Sequence, residues 1–207
     1  MEIVVRGNAS IKVKPDICII RLNFSKVADN IETALSEGSK MVYDTFNNLS
    51  SKFGIGKEQF VTTNYNVSEN KVYDNTNNIV NAGYIFNQDV EIKINYDLYQ
   101  LALIIDEIAQ MDFPINYSLS FDVDNIDSYR SNLLGDAYQN ALTDAKKIAN
   151  SAKGDIVATL RVEDDEYSGS AFLTRSVISG NIDEFSKTFT PNDILIERSV
   201  KVTFLAN

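Results

Sequence analysis

Four segments of the chain alternate apolar and polar residues with the period of a β-strand: 16–27, 60–69, 82–96 and 115–123. Successive side chains of a strand point to opposite faces, so each segment is predicted to have one buried and one solvated face. This is typical of an antiparallel sheet. In the second segment the alternation groups Val61, Thr63, Tyr65 and Val67 on one face, and Thr62, Asn64, Asn66 and Ser68 on the other.

Segments with the periodicity of an α-helix lie between these predicted strands. Asp29 is expected to cap the first helix, with Glu32 completing a capping box, and Gly54 is expected to end it. Its apolar stripe is predicted to contain Ile31, Leu35, Val42, Phe46, Leu49 and Phe53. Asp97 is expected to open the second helix, and Pro114 closes that segment. Its inward side chains are predicted to be Leu98, Leu101, Ala102, Ile105, Ile108 and Met111.

The segment 125–154 predicts a third helix with an unusual stripe of alanines. Its alanines recur every fourth residue and then at a three-residue step: Ala137, Ala141, Ala145, Ala149 and Ala152. Alanine has the best helix propensity, and a stripe of methyl groups lets a helix lie very close to the sheet that it covers. Ile126, Tyr129, Leu133 and Ile148 are expected to extend the buried side, and Gly154 is the predicted stop.

The order of elements from 16 to 123 is strand, helix, strand, strand, helix, strand, which is the split βαβ arrangement of ferredoxin-like folds. After the alanine helix, strands are predicted at 156–163 and 194–205. The fold class is therefore expected to be α+β, with 1–207 as a single domain of two lobes. Residues 14–123 would form the split βαβ lobe, and 124–207 with 1–13 would form the long helix and a small sheet.

Two connections lack a sustained period. The asparagine-rich stretch 70–81 is interpreted as a long hairpin connection. The stretch 166–193 is too long for an ordinary loop of a compact domain, and its apolar side chains suggest docking onto the protein's own body or onto a neighbouring subunit. The candidate interface residues are Phe172, Leu173, Val177, Ile178, Phe185 and Phe189.

Composition excludes several classes of function. The chain has 207 residues, 44% of them hydrophobic, and a formal net charge of −10. Nucleic-acid binding needs clustered Lys and Arg, so an acidic chain without a basic stripe argues against that partner. No apolar run approaches the ~20 residues of a membrane span, and no export signal precedes the first strand. We therefore expect a cytoplasmic protein, or an exported one if an N-terminal signal was removed.

Residue usage also narrows the chemistry. The chain has no histidine and one cysteine, which removes Ser-His-Asp and Cys-His catalysis, histidine metal sites and any intramolecular disulfide. Cys18 is interpreted as a small buried apolar residue. The acidic run 163–166 is interpreted as a solvated strand end, and the Gly54–Lys57 stretch as a helix stop and turn without phosphate-loop spacing. We predict no catalytic residue, no metal ligand and no cofactor.

The polar face of the predicted four-stranded sheet is the surface with the most chemical interest. Its members would be Arg21, Asn23, Asn64, Asn66, Asn87, Asp89, Glu91, Asn116, Ser118 and Asp122. Plain solvent exposure and a subunit or partner interface are the first two interpretations. A ligand or catalytic site built on Asp89, Glu91, Ser118 and Asp122 would instead require a closed pocket that perturbs the carboxylates.

Several short motifs, in their order along the chain, resemble one family. Val4–Gly7, Val13–Asp16 before an apolar strand, Gly54-Ile55 followed by Thr62-Thr63, and Gly83-Tyr84 are similar to recurrent features of the SIMPL-domain family. The alanine helix, with Asp144-Ala145-Lys146-Lys147 inside it, is the strongest match. The resemblance implies a two-lobed α+β fold, frequent self-association and no established enzymatic activity. Bacterial members are often exported to the cell envelope and are linked to stress defence.

Together these observations lead to a non-enzymatic, self-associating binding or scaffolding protein as the first functional hypothesis. A homo-oligomer is the expected assembly, and another protein is a possible partner through strand addition at a free sheet edge. The alternative is a small-ligand binder or a hydrolase-type enzyme that uses the carboxylates of the polar sheet face.

Overall fold

The computed structural model describes residues 1–73, 77–164 and 189–207. Within them the chain forms an α+β protein, as the sequence predicts. The elements in chain order are β1 (Glu2–Val13), β2 (Ile17–Ala28), α1 (Ile31–Phe53), β3 (Phe60–Tyr73), β4 (Ile79–Asn95), α2 (Leu98–Ala109), β5 (Asn116–Asp122), α3 (Ile126–Ser151), β6 (Ile156–Asp164) and β7 (Ile194–Ala206).

These residues divide into two compact units, each with its own sheet. The split βαβ unit contains residues 16–122 and 189–191, with the four-stranded sheet β3-β4-β2-β5. The alanine-helix unit contains residues 1–15, 123–164 and 192–207, with the three-stranded sheet β1-β7-β6. All strand pairs are antiparallel.

In the split βαβ unit, both helices share one core with a single face of the sheet. The even-numbered apolar residues of β2 and β4 are buried with side chains from β5, α1 and α2. The largest of these fully buried side chains include Ile20, Leu22, Phe24, Phe86, Ile92, Leu49, Leu101, Ile104 and Leu119. This placement of α1 and α2 confirms the ferredoxin-like order that the alternation predicts.

The first helix begins one residue later than predicted. Asn30, rather than Asp29, is the N-cap, and its side-chain oxygen accepts a hydrogen bond from the Thr33 amide at 2.9 Å. Gly54 ends the helix in the left-handed region with φ 70°, as expected. Asp97 likewise caps α2 as predicted, and one carboxylate oxygen accepts from the amides of Tyr99 and Gln100.

The buried side of α1 includes most of the predicted apolar stripe and adds small residues to it, since Leu49 is buried and Leu35, Val42 and Phe53 pack against the core. Its buried residues are Ala34, Gly38, Met41, Thr45 and Leu49, whereas Ile31 is half exposed. A Cβ at Gly38 would lie 2.3 Å from the ring of Phe86, so the helix packs on this strand at a residue without a side chain. The predicted stripe did not contain the small residues of this face, because close packing rather than hydrophobicity places them there.

In the alanine-helix unit, α3 lies directly on the sheet. Ala137, Ala141, Ala145 and Ala149 are fully buried against β1 and β7, as the alanine stripe predicts. A Cβ at Gly7 of β1 would lie 1.9 Å from the Ala137 carbonyl oxygen and 2.6 Å from the Ala141 amide nitrogen. The helix backbone therefore contacts the strand backbone at this point. Sequence reasoning recognised the alanines but not their glycine partner.

The end of α3 departs from the prediction. The helix stops at Ser151, and Ala152 and Ile148 are exposed rather than part of the buried stripe. Lys153 adopts the left-handed conformation with φ 60°, and the Gly154 amide donates to the Ala149 carbonyl at 2.9 Å. This is a Schellman cap with lysine in the position that glycine usually occupies.

The contact between α3 and β1 also covers part of a free sheet edge. β1 is an edge strand, and Met1 exchanges backbone hydrogen bonds with Ala206 of the neighbouring strand β7. By alternation the Asn8 carbonyl points away from β7, and the Asn140 side chain of α3 donates to it at 2.8 Å. Covering an exposed edge in this way discourages the addition of a foreign strand.

We predict that Gly7→Ala destabilises the protein, because the added methyl group meets helix backbone that has no side chain to move aside. The expected loss is about 1–3 kcal/mol, typical of overpacking. Gly135→Ala is the matched control, since a Cβ there meets no atom within 4 Å. That substitution in the middle of α3 should stabilise by about 0.5–1 kcal/mol. Urea unfolding of both variants measures the difference, and equal stabilities would contradict the position of α3.

Candidate functional site

On the polar face of the four-stranded sheet, most of the predicted polar residues lie directly opposite one another on neighbouring strands. Arg21 of β2 lies opposite Glu91 of β4 on one side and Ser118 of β5 on the other. Two residues further along β2, Asn23 lies between Asp89 of β4 and Asn116 of β5. Because directly opposite side chains share a face, these six residues form one continuous polar surface.

Two charged side chains on this surface are held in fixed positions. The Asp89 carboxylate accepts hydrogen bonds from the Asn23 amide at 2.6 Å and from the Asn64 amide at 3.2 Å, one on each oxygen. Arg21 donates from Nε to Glu91 at 3.0 Å and from Nη1 to Ser120 at 3.3 Å. Each charged group is therefore oriented by two neighbours.

A register shift in β3 changes the predicted grouping of its side chains. Between Thr62 and Asn64 the strand carries one extra residue, Thr63, that has no residue of β4 directly opposite it. Val61 consequently lies opposite Glu91 on the polar face instead of sharing a face with Tyr65. Thr63 donates a hydrogen bond to the Asp89 carbonyl at 3.4 Å. A bulge exchanges the two faces of a strand, and simple alternation cannot detect it.

A cavity of about 250 Å³ lies on this polar face. Its lining residues are Arg21, Leu22, Asn23, Thr63, Asp89, Asn116, Tyr117 and Ser118. Of the four residues proposed for a carboxylate-based site, Asp89 and Ser118 line the cavity, whereas Glu91 and Asp122 do not. The lining thus contains one carboxylate and one guanidinium rather than a pair of carboxylates.

The titratable groups with shifted pKa values lie elsewhere or have ordinary structural causes. Burial raises the pKa of the Cys18 thiol to about 11, and burial also raises the pKa of the Tyr96 and Tyr117 hydroxyls. A hydrogen bond from Lys52 lowers the pKa of Glu107. None of these shifts creates an activated nucleophile or a general base close to neutral pH.

The remaining candidates from the sequence have structural roles where they are described. Glu163 pairs with Arg161 at 2.7 Å and lies 3.6 Å from Lys201, while Asp164 pairs with Arg198 at 2.8 Å. The rest of the acidic run lies outside the described residues. Over 1–73, 77–164 and 189–207, no group of three or more Cys, Asp and Glu side chains is placed to hold a metal ion. None of the helices in these ranges has the length and apolar character to cross a membrane.

Only one of the six candidate interface residues lies in the described part of the chain. Phe189 is half-buried, and its ring centroid lies 5.4 Å from that of Phe121 in the core of the split βαβ unit. For this residue, docking onto the protein's own body is the arrangement seen. Phe172, Leu173, Val177, Ile178 and Phe185 lie outside the described residues.

The hairpin between β3 and β4 is a surface that sequence reasoning missed. The stretch 70–81 is not merely a connection, because β3 continues to Tyr73 and β4 starts at Ile79. Tyr73 is 70% exposed and Ile79 61% exposed, and Val72 and Val80 are also exposed. The signal was present in the sequence as β-branched and aromatic residues, but the surrounding asparagines obscured it.

Fold and family agree. The described residues form a two-unit α+β protein, with a ferredoxin-like sheet in one unit and an alanine-striped helix on a small sheet in the other. Residues 3–204 match the SIMPL family, which is described as a protein of unknown function (DUF541). The chain therefore belongs to this family, which confirms the resemblance. A comparison with curated proteins finds no match.

We predict that Cys18 reacts very slowly with thiol reagents in the folded protein. A pKa of about 11 lowers the thiolate fraction at pH 8 by about 100-fold relative to an ordinary thiol, and burial restricts access further. Labelling with a disulfide reagent in buffer and in concentrated urea measures the ratio of rates. Rapid labelling of the folded protein would contradict the buried position of Cys18.

Proposed function

We propose that this protein is a non-enzymatic, self-associating binding or scaffolding protein. The observation that carries the proposal is the exposed apolar hairpin arm, defined as residues 69–73 of β3 with 79–84 of β4. Membership of the SIMPL family is compatible with such a role, since the family is described as of unknown function. Cytoplasmic location, export to the envelope and a role in stress defence all stay predictions.

The arm extends past the rest of its sheet. The last β2 residue, Ala28, lies opposite Tyr84, so the β4 residues before Tyr84 pair with β3 alone. Gly83, with φ 96°, lets the strand pass close to the Ala28 carbonyl, where a Cβ would lie 2.4 Å from the oxygen. A two-stranded ribbon is marginally stable by itself in water. Contact with another surface would therefore stabilise the arm.

Apolar side chains occupy both faces of the arm. Val72 lies opposite Val80, and Tyr73 lies opposite Ile79. Neighbouring positions of a strand alternate, so the two valines share one face and the tyrosine and isoleucine share the other. Exposed apolar side chains that cluster in this way are typical of interaction surfaces.

A second copy of this chain is the occupant that we propose. Two copies with a net charge of −10 each repel one another, so association requires a surface where the charge is locally balanced. The arm is such a surface, because Glu69 and Lys71 are exposed side by side, with 3.3 Å between Lys71 Nζ and Glu69 Oε2. A symmetric contact between two arms would place opposite charges within reach of each other while it buries Tyr73 and Ile79.

We expect the double substitution Tyr73→Ser with Ile79→Ser to weaken self-association by about 100-fold, as for two buried anchor residues. The matched control is Tyr43→Ser with Ile148→Ser, which removes the same residue types from exposed helix positions. Light scattering across a concentration series measures the dissociation constant. An oligomer that persists unchanged in the arm variant, or a wild-type chain that is a strict monomer, would overturn the proposal.

Charge reversal tests the symmetry of the contact. Lys71→Glu should weaken association about threefold to tenfold, because two acidic arms then face each other. Glu69→Lys combined with Lys71→Glu keeps one charge of each sign on every arm and should restore it. The difference should shrink at high salt. Equal dissociation constants for the single and double variants at low salt would exclude arm-to-arm contact.

A further inference from the structure

We propose that the cavity on the polar sheet face binds a small zwitterion of the α-amino acid type. Arg21 would hold the ligand's carboxylate and Asp89 its ammonium group. Its lining residues are separate from those of the hairpin arm, and the site does not depend on self-association.

Arg21 is prepared for a carboxylate. Its Nε and Nη1 atoms are bound by Glu91 and by the buried Ser120, which fix the plane of the guanidinium. A guanidinium has five donor hydrogens, so three remain after these two bonds. The side chain is 45% exposed and lines the cavity. A fixed planar fork of donors matches the geometry of a carboxylate.

Asp89 is prepared for an ammonium group. Asn23 and Asn64 each donate to one of its oxygens, which prevents rotation of the carboxylate. Two carboxylate oxygens accept about four hydrogen bonds in total, so each retains acceptor capacity for a ligand. Both partners are uncharged side-chain amides, so neither compensates the negative charge of the carboxylate. The cavity therefore presents one oriented anion to complement the oriented cation.

The two charged residues border the same small cavity. Arg21 and Asp89 are diagonal neighbours, because Arg21 lies opposite Glu91 and Asn23 lies opposite Asp89. The Cα atoms of diagonal positions in an antiparallel pair are about 7–8 Å apart, and both side chains line one cavity. A single short ligand in that cavity would contact both of them. The volume of about 250 Å³ lies below the ~300–1,000 Å³ of most ligand pockets, which limits the site to a very small ligand.

The charge balance of the lining selects among ligand classes. With one cation and one anion among the lining residues, the cavity has no net charge to favour an anion or a cation alone. A zwitterion supplies an opposite charge to Asp89 and a second partner to Arg21, which already pairs with Glu91, whereas a singly charged ligand contacts only one of the two groups. Ser118 and Asn116 supply neutral hydrogen-bonding groups beside the two charges.

Amide NMR titration with three probes tests the proposal. Glycine carries both charges, N-acetylglycine lacks the ammonium group, and glycinamide lacks the carboxylate. We expect glycine to shift the resonances of the lining residues with a Kd of about 1 mM, and each singly charged probe to bind at least about tenfold more weakly. Equal binding of the three probes, or no shift with glycine at about 50 mM, would overturn the proposal.

Substitutions assign the two ends of the ligand. Asp89→Asn keeps the shape of the side chain and should weaken glycine binding about tenfold, while N-acetylglycine binding should become at least as strong as that of glycine. Lys40→Gln is the control, because it removes one charge from an exposed position of α1 outside the cavity lining. Unchanged selectivity in the Asp89 variant would exclude the assigned role. The Tyr73→Ser with Ile79→Ser variant should bind glycine like the wild type, which separates this proposal from the one on assembly.

Discussion

The register of β2 between β4 and β5 is the constraint on which the split βαβ unit depends. Side chains alternate between the two faces of a strand, so a slip of one residue would move Leu22 and Phe24 into solvent and Arg21 and Asn23 into the core. The register is held in place because such a slip would lose that buried apolar area. The same register also places Asn23 against Asp89 and Arg21 against Glu91. The polar cavity is thus a consequence of the packing on the opposite face.

The alanine-helix unit follows a different rule, which is close approach of backbones. Small residues on α3 meet a glycine on β1, and the contact is made with almost no side chain between helix and strand. Gly38 of α1 shows the same principle against Phe86. In both places the smallest residue on one element determines how near the other can lie. Such contacts tolerate little added volume because interiors are close-packed.

The two surfaces with functional interest differ in physical character. The hairpin arm carries exposed apolar side chains on both faces, and its β4 residues before Tyr84 pair with β3 alone in the described part of the chain, so it gains stability from contact with another surface. The cavity is polar, and its two charged groups are already oriented by hydrogen bonds within the sheet. Such orientation reduces the cost of ordering side chains when a ligand binds. Assembly and ligand binding therefore involve separate residues of the same unit.

The element types, the α+β class, the family and the polar sheet face could all be predicted before folding was considered, because they depend on local periodicity and on the order of short motifs. The sequence also located the Asp97 and Gly54 ends of helices, where one residue satisfies the backbone. Four features became evident only in three dimensions: the bulge at Thr63, the small residues on the buried face of α1, the contact of Gly7 with α3 and the extent of the hairpin arm. Each of these results from contact between segments distant in the chain, and local patterns carry no information on which partner a residue will meet.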